Sequence, residues 1–257
     1  MRLAAISDIH GNLPALEAVL DDIASAQVDA IVNLGDILSG PLWVAETAQR
    51  LMALQLPTIA GNHERQVLRL PRERMGPSDA FAADRIDAAQ RDWIAALPAT
   101  LRLTDQVFCC HGTPADDLEP FLETVTGGQP GIRVATEPEA AARAGATNMG
   151  IRHALILCGH THLPRMLQLD DGRLIVNPGS VGLPAFDDDH PVPYVAETGS
   201  PHARYAVLSL RQAGWQVELR SLPYDHVAAA RRAEAHGRGD WADALATGRV
   251  GRKESDL

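Results

Sequence analysis

No apolar stretch in this 257-residue chain approaches the roughly 18 consecutive positions that a membrane-spanning helix requires. Positive charge is scarce as well. The 23 Lys and Arg against 33 Asp and Glu leave a formal net charge of −10, which argues against extended nucleic acid as a partner, because phosphate neutralisation needs clustered cations. Cysteine is limited to Cys109, Cys110 and Cys158, each inside an apolar run, which fits reduced core thiols and excludes a disulfide framework. Adjacent Cys109 and Cys110 point to opposite faces of a strand, so they do not chelate together. Met1–Ile6 is too short before Ser7-Asp8 to be the apolar region of a signal peptide. The expected location is therefore cytoplasmic. Internal repeats and low-complexity tracts are also missing.

What is present is the composition of an ordinary soluble globular protein, 46% hydrophobic and 22% charged. The length suits one large core. Arg2 to Ile6 is short and apolar, Leu13 to Ala26 carries Leu13, Leu16, Val19, Leu20 and Ile23 at helical spacing, and Ala30 to Leu34 is apolar again. This predicts a β-α-β unit, which puts Asp8 and Asp36 at the same edge of a parallel pair. A helix from about Leu42 to Leu54 and a third strand over Pro57-Thr58-Ile59-Ala60 extend the pattern.

Further strands are expected at Val107 to Cys110, Ala154 to Cys158 and Leu174 to Val176, with a late hairpin, Tyr205 to Leu210 and Gln216 to Leu219, completing a second sheet. The polar, Pro- and Gly-punctuated residues 65–104 and 113–150 are expected to be helical insertions in a domain spanning 1–225. Residues 226–257 are expected to form a surface helix and a frayed tail.

Five short polar segments each follow a predicted strand: Asp8-x-His10, Gly35-Asp36, Gly61-Asn62-His63-Glu64, His111-Gly112 and Gly159-His160-Thr161-His162. In open α/β sheets, ligands collect outside the carboxyl ends of strands, so these distant segments can converge. Asp8, His10, Asp36, Asn62, His111, His160 and His162 supply oxygen and imidazole donors without thiolate, a mixture suited to Mn, Fe, Co, Ni or Zn rather than Ca or Mg. Two such ions about 3.5 to 4 Å apart can share a carboxylate and hold both oxygens of an in-line displacement at phosphorus. Asp36 is the natural bridge. His63 is free to face a substrate, with neighbouring Glu64 as the expected carboxylate that orients its ring.

In order and spacing, the five segments resemble the D-x-H, G-D, G-N-H-[DE], H, G-H-x-H pattern of the calcineurin-like metallophosphoesterase superfamily. Asp8-Ile9-His10-Gly11-Asn12 and Asn177-Pro178-Gly179-Ser180-Val181-Gly182 resemble its compact bacterial and archaeal phosphodiesterase branch. The resemblance implies a four-layer αββα sandwich of two mixed β-sheets flanked by helices, with two metals between the sheet edges. It assigns Asp8, His10, Asp36 and His162 to one metal, and Asp36, Asn62, His111 and His160 to the other. It also implies that a metal-bridging hydroxide attacks phosphorus, that His63 stabilises or protonates the leaving oxygen, and that Asn12 contacts substrate phosphate. Manganese is the favoured cofactor. The implied partner is a small phosphodiester, phosphomonoester or nucleotide, with neither membrane nor long nucleic acid involved.

Plainer readings stand beside these. Asn12 equally suits a cap for the helix starting near Leu13, and Asn177-Pro178-Gly179-Ser180 suits a tight turn. Asp187-Asp188-Asp189-His190 reads as a solvated loop between prolines. Arg65, Arg69, Arg72 and Arg74 read as a charged face. For the whole chain, the alternatives are a catalytically inactive scaffold on the same fold and a protein phosphatase.

Overall fold

The computed structural model describes residues 1–128, 130–145 and 154–252. The chain opens with β1 (Arg2–Ile6), α1 (Leu13–Ser25), β2 (Ala30–Asn33) and α2 (Val44–Leu54). It continues through α3 (Asn62–Arg69), α4 (Pro77–Ala83), α5 (Ala88–Ala95), β3 (Leu101–Thr104) and β4 (Val107–Cys109). Next come β5 (Glu123–Val125), β6 (Ile132–Val134), α6 (Glu137–Ala144), β7 (Leu155–Leu157), β8 (Arg165–Gln168) and β9 (Leu174–Asn177). The last elements are β10 (Ala185–Asp188), β11 (Tyr194–Glu197), β12 (Ala203–Arg211), β13 (Gly214–Leu222), α7 (His226–Ala235) and α8 (Gly239–Thr247).

Two mixed sheets form the centre, ordered β13-β12-β1-β2 and β3-β4-β7-β9-β8. Strand alternation divides their side chains between three apolar layers. Leu3, Ala5, Val32 and Leu34 of the first sheet meet Val107, Cys109, Leu155, Leu157 and Val176 of the second, so this layer lies between the sheets. Ala4 and Ile6 turn the other way onto Leu16, Val19, Leu20 and Ile23 of α1 and onto α2. Cys110, Ile156 and Ile175 pack outward on Ala140 and Ala144 of α6. The resulting order is helices, sheet, sheet, helix, the expected αββα sandwich. Cys109 and Cys110 occupy different layers, as strand alternation requires.

The β-α-β unit is present, with β1 and β2 parallel and Ile6 opposite Asn33. Several expectations need correction. Pro57–Ala60 makes only an isolated bridge, Thr58 to Asn33, and not a full strand. The late hairpin joins the first sheet, because β12 pairs antiparallel with β1. Residues 101–104 of the first insertion are strand β3, and the second insertion carries the β5–β6 hairpin beside its helix. Position 129 and residues 146–150 of that insertion lie outside the described residues, as do 253–257 of the expected tail. The C-terminal region forms two helices, whose Ala229, Ala233, Trp241, Ala244 and Leu245 are buried against Leu42, Leu183 and Ala185. No helix among the described residues is long and apolar enough to cross a membrane.

Candidate metal centre

Beyond the last sheet pairings, the strand-end loops continue to bond backbone to backbone. Asp8 N donates to Gly35 O at 3.0 Å, His10 N to Asp36 O at 3.1 Å, Gly159 N to His111 O at 2.7 Å and Gly182 N to Asp8 O at 3.0 Å. Main-chain bonds thus join the first segment to the second and the fourth to the fifth, while the side chains of Asp36 and Asp8 bring in the third segment and link the two pairs, accepting from His63 N at 3.0 Å and His160 N at 3.2 Å.

Turning donors inward at this density requires unusual backbone. Asp8, His10, Asp36, His160 and His162 all have positive φ, between 51° and 69°. The only other non-glycine residues with positive φ among those described are Gln27 and Gln55. Left-handed backbone is disfavoured for L-residues and persists where surrounding structure enforces it. Two glycines make room for these turns. A Cβ on Gly61 would stand 2.2 Å from Asp36 Oδ1, and one on Gly159 would stand 2.0 Å from Ser7 Oγ.

The donors fall into two buried triads, Asp8–His10–His162 and Asp36–His111–His160, the ligand atoms of each lying within 4.8 Å of one another. Asp8 Oδ1 lies 3.5 Å from His162 Nε2 and 3.9 Å from His111 Nε2, so the triads adjoin. Asn62 Oδ1 stands 3.1 Å from His160 Nδ1 and completes the second group.

The histidines are oriented from behind. Nδ1 of His10 donates to Ser39 O, Nδ1 of His111 to Leu34 O and Nδ1 of His162 to Leu183 O, each at 2.7 Å. A carbonyl accepts only, so these bonds place a proton on Nδ1 and aim Nε2 inward, where it is a lone pair whenever the ring is neutral. Nε2 of His10 and Nε2 of His162 then face each other at 3.1 Å. Two lone pairs at that distance repel unless a proton or a cation lies between them. Buried His111 Nε2 and Asp8 Oδ2 have no hydrogen-bond partner, although Asp36 Oδ2 is 2.9 Å from the former. Orphaned donors at the convergence point of two triads fit a pair of divalent cations.

The electrostatics agree. Burial, reinforced by His162, pushes His10 down to about 3, and burial with His111 pushes His160 down to about 4. Both rings are neutral at physiological pH, the state in which imidazole can bind a metal. Burial also opposes charge on His111, but Asp36 outweighs it and raises this histidine to about 9. Asp36 overcomes its own burial through His111 and His63 and stays well below the usual carboxylate range.

His63 sits beside the triads and lines the same cleft, its Nε2 3.9 Å from Asp36 Oδ2. The expected orienting partner is not Glu64. That carboxylate turns under the loops and accepts from the backbone N–H of Asp36, Ile37 and Gly61, each at 2.8 Å. His63 Nδ1 instead donates to Asp79 Oδ1 at 2.7 Å. Burial disfavours the His63 cation, yet Asp36 and Asp79 prevail and push it up to about 10. Asp79 was missed in the sequence because it lies in the first insertion, with no motif around it.

Asn12 does not reach the cleft. It is fully buried, its Oδ1 accepts from Ala15 N at 3.3 Å, and its Nδ2 donates to Gly182 O and Tyr224 Oη at 2.8 and 3.0 Å. The expected phosphate contact is therefore replaced by a helix cap. Asn177 is likewise internal, donating to Gly159 O at 2.7 Å and accepting from Gly179 N at 2.8 Å, which braces the His160–His162 loop. Arg65 pairs with Asp117 and Arg72 with Asp84. Of the four arginines on that face, Arg74 lines the cleft.

The cleft over the triads holds about 930 Å³. Its walls come from both insertions, from Phe186 to Tyr194 on the β10–β11 hairpin, and from Asp240, Trp241 and Ala244 of α8. Asp188, Asp189 and His190 also cluster on that hairpin, but Asp189 and His190 are exposed to solvent, as a surface loop would have them.

The profile of the calcineurin-like phosphoesterase superfamily domain matches residues 1–199. A metallophosphoesterase from Sphaerobacter thermophilus is similar over 96% of this chain and 99% of its own, at 25% identity and a TM-score of 0.72. A hypothetical protein from Pyrococcus horikoshii OT3 shares the fold over 97% of this chain and 99% of its own, at 16% identity and a TM-score of 0.73. An uncharacterised protein from Methanocaldococcus jannaschii is 41% identical over 66 residues, which is 26% of this chain and 27% of that relative's length.

Proposed function

Since the chain belongs to the calcineurin-like phosphoesterase superfamily, we propose that it is a metal-dependent phosphoric ester hydrolase acting on a small phosphodiester, phosphomonoester or nucleotide. The observation that carries this reading is the set of inward-facing Nε2 atoms, each fixed by a backbone carbonyl behind its ring. Asp8, His10, Asp36 and His162 would hold one ion, and Asp36, Asn62, His111 and His160 the other, with Asp36 common to both. Manganese is favoured among the metals that such a nitrogen and oxygen set accepts. When bound, the pair supplies Lewis acidity toward a phosphoryl oxygen and makes a water nucleophilic near neutral pH.

The remaining chemistry belongs to side chains of this chain. The backbone carbonyls behind His10, His111 and His162 keep those rings from rotating, so the ligand geometry exists before metal or substrate arrives. Charged His63 faces the cleft and offers a proton to the oxygen that leaves phosphorus. A cleft of about 930 Å³ suits a small ligand. The net charge of −10 works against long nucleic acid.

Purified protein loaded with Mn should hydrolyse bis(4-nitrophenyl) phosphate or 4-nitrophenyl phosphate, and both Asp36→Asn and His63→Ala should lower turnover strongly. Wild-type turnover in both variants would overturn the reading.

A further inference from the structure

His10 packs edge-on against the His63 ring at 5.4 Å between centroids, but the hydrogen bond that fixes the ring comes from outside the strand-end loops. Its Nδ1 donates to Asp79 Oδ1 at 2.7 Å, and the same oxygen accepts from Ser39 Oγ at 2.7 Å. Asp79 is 4% exposed and sits on α4, a helix of 7 residues. So short a helix has no stability of its own and takes its position from what grips it.

Part of that grip is the packing of Ala82 on Val67 of α3 and Ile94 of α5, and part comes from the C-terminal hairpin of α7 and α8. Arg238 Nη1 donates to Ser78 Oγ at 2.9 Å, and the His236 ring packs 4.8 Å from Phe81, so the hairpin holds α4 at both ends. The hairpin is in turn fixed next to the centre. His236 Nδ1 bonds Pro41 O at 2.8 Å, Arg232 Nε donates to Leu42 O at 3.1 Å, and Trp241 stands edge-on to His10 with ring centroids 5.7 Å apart. All of these hairpin residues lie beyond residue 199, where the superfamily match ends.

We propose that the C-terminal hairpin is a working part of the active site, holding α4 so that Asp79 acts as the positioning residue of His63. The inference rests on the reading of His63 as the acid for the leaving group. With Nδ1–H held by Asp79, the ring has one orientation, and Nε2 is the nitrogen left for the cleft. As the P–O bond breaks, the Nε2 proton passes to the departing oxygen, which keeps the bonding electron pair. The ring becomes neutral, retains Nδ1–H on Asp79, and regains the Nε2 proton from solvent.

The test uses full-length Mn-loaded protein and two phosphodiesters that differ only in the leaving group, 4-nitrophenol or the more basic phenol. A basic leaving group needs the proton more, so impaired delivery shows chiefly with phenol. Asp79→Asn should lower kcat for the phenol ester about 10- to 100-fold, lower it less for the nitrophenol ester, and leave KM and metal content close to wild type. The double variant Ser78→Ala/His236→Ala should act in the same direction more weakly. NMR of the His63 ring nitrogens in the diamagnetic Zn-loaded protein should show a hydrogen-bonded Nδ1–H in the wild type that is lost in Asp79→Asn and weakened in the double variant.

Equal losses for the two esters, a change confined to KM, or an unaltered His63 signal in both variants would overturn the proposal. His63→Ala separates this failure from failure of the underlying reading. If His63→Ala shows the leaving-group dependence and Asp79→Asn does not, only the positioning claim is lost. If His63→Ala shows none, the acid role itself is wrong.

Discussion

The floor and the roof of the cleft are built by different means. On the floor, Asp8, His10, Asp36, His160 and His162 hold left-handed backbone and lie under strand-end loops bonded main chain to main chain. Over them, α4 and α8 are gripped by side chains, such as Arg238 to Ser78 and Trp241 beside His10, and the β10–β11 hairpin is tied by its main chain to the second insertion, Val195 N donating to Pro130 O at 2.9 Å. A backbone-clamped floor has little freedom to vary, and it carries the candidate metal ligands. The exposed positions of the roof that touch neither His10 nor Asp79 can change without disturbing the floor, so the proposed substrate selection is expected there.

The largest expected effect strikes the floor where the triads join. Asp36→Asn keeps the shape and removes the charge that the proposal gives to both ions, so steady-state turnover should fall by more than the roughly 100-fold typical of residues that only support ligands. Elemental analysis of the same preparation should show metal lost with activity. His63→Ala comes next, because it touches the reaction and not the ligand set. Turnover should fall about 100-fold or more while metal content persists.

A smaller effect sharpens the contrast within the floor itself. His10 and His160, pushed by burial to about 3 and about 4, are already neutral at pH 7, whereas Asp36 holds His111 protonated up to about 9 in the metal-free protein. A cation must displace that proton. Calorimetry on metal-free protein should therefore show proton release on Mn binding at pH 7, and an apparent affinity that rises with pH and levels off near 9. An affinity that is flat between pH 6 and 9 would show that His111 is no ligand. The smallest effect belongs to the roof. Leu118, 48% exposed at the cleft edge, can become Ala with stability changed by less than about 0.5 kcal/mol. Only the preference between bulky and compact diesters should move, as competition assays would measure.

This division also explains what could be read from the chain. The floor was legible because its residues sit at strand ends in fixed local patterns, and β-α-β geometry sends Asp8 and Asp36 to one edge. Glu64 adjoins His63 in sequence but does not orient its ring, because the helix turns that carboxylate toward the Asp36 loop. Asp79 arrives from 16 residues further on, through an insertion whose path no local pattern dictates. The β12–β13 hairpin was visible as a hairpin, but apolar alternation does not say which sheet edge it joins. The hairpin of α7 and α8 looked like a polar surface segment because its buried face is mostly alanine, with Trp241 and Leu245 as its large buried side chains.

The central claim is that two adjoining triads form one paired metal centre. It is tested most directly by counting metal ions per chain after reconstitution with Mn, in the wild type and in His162→Ala and His111→Ala. The account predicts two ions in the wild type and a deficit in each variant, with Asp36→Asn losing more than either. Wild-type protein that binds no divalent metal, or variants that retain the full complement, would contradict it.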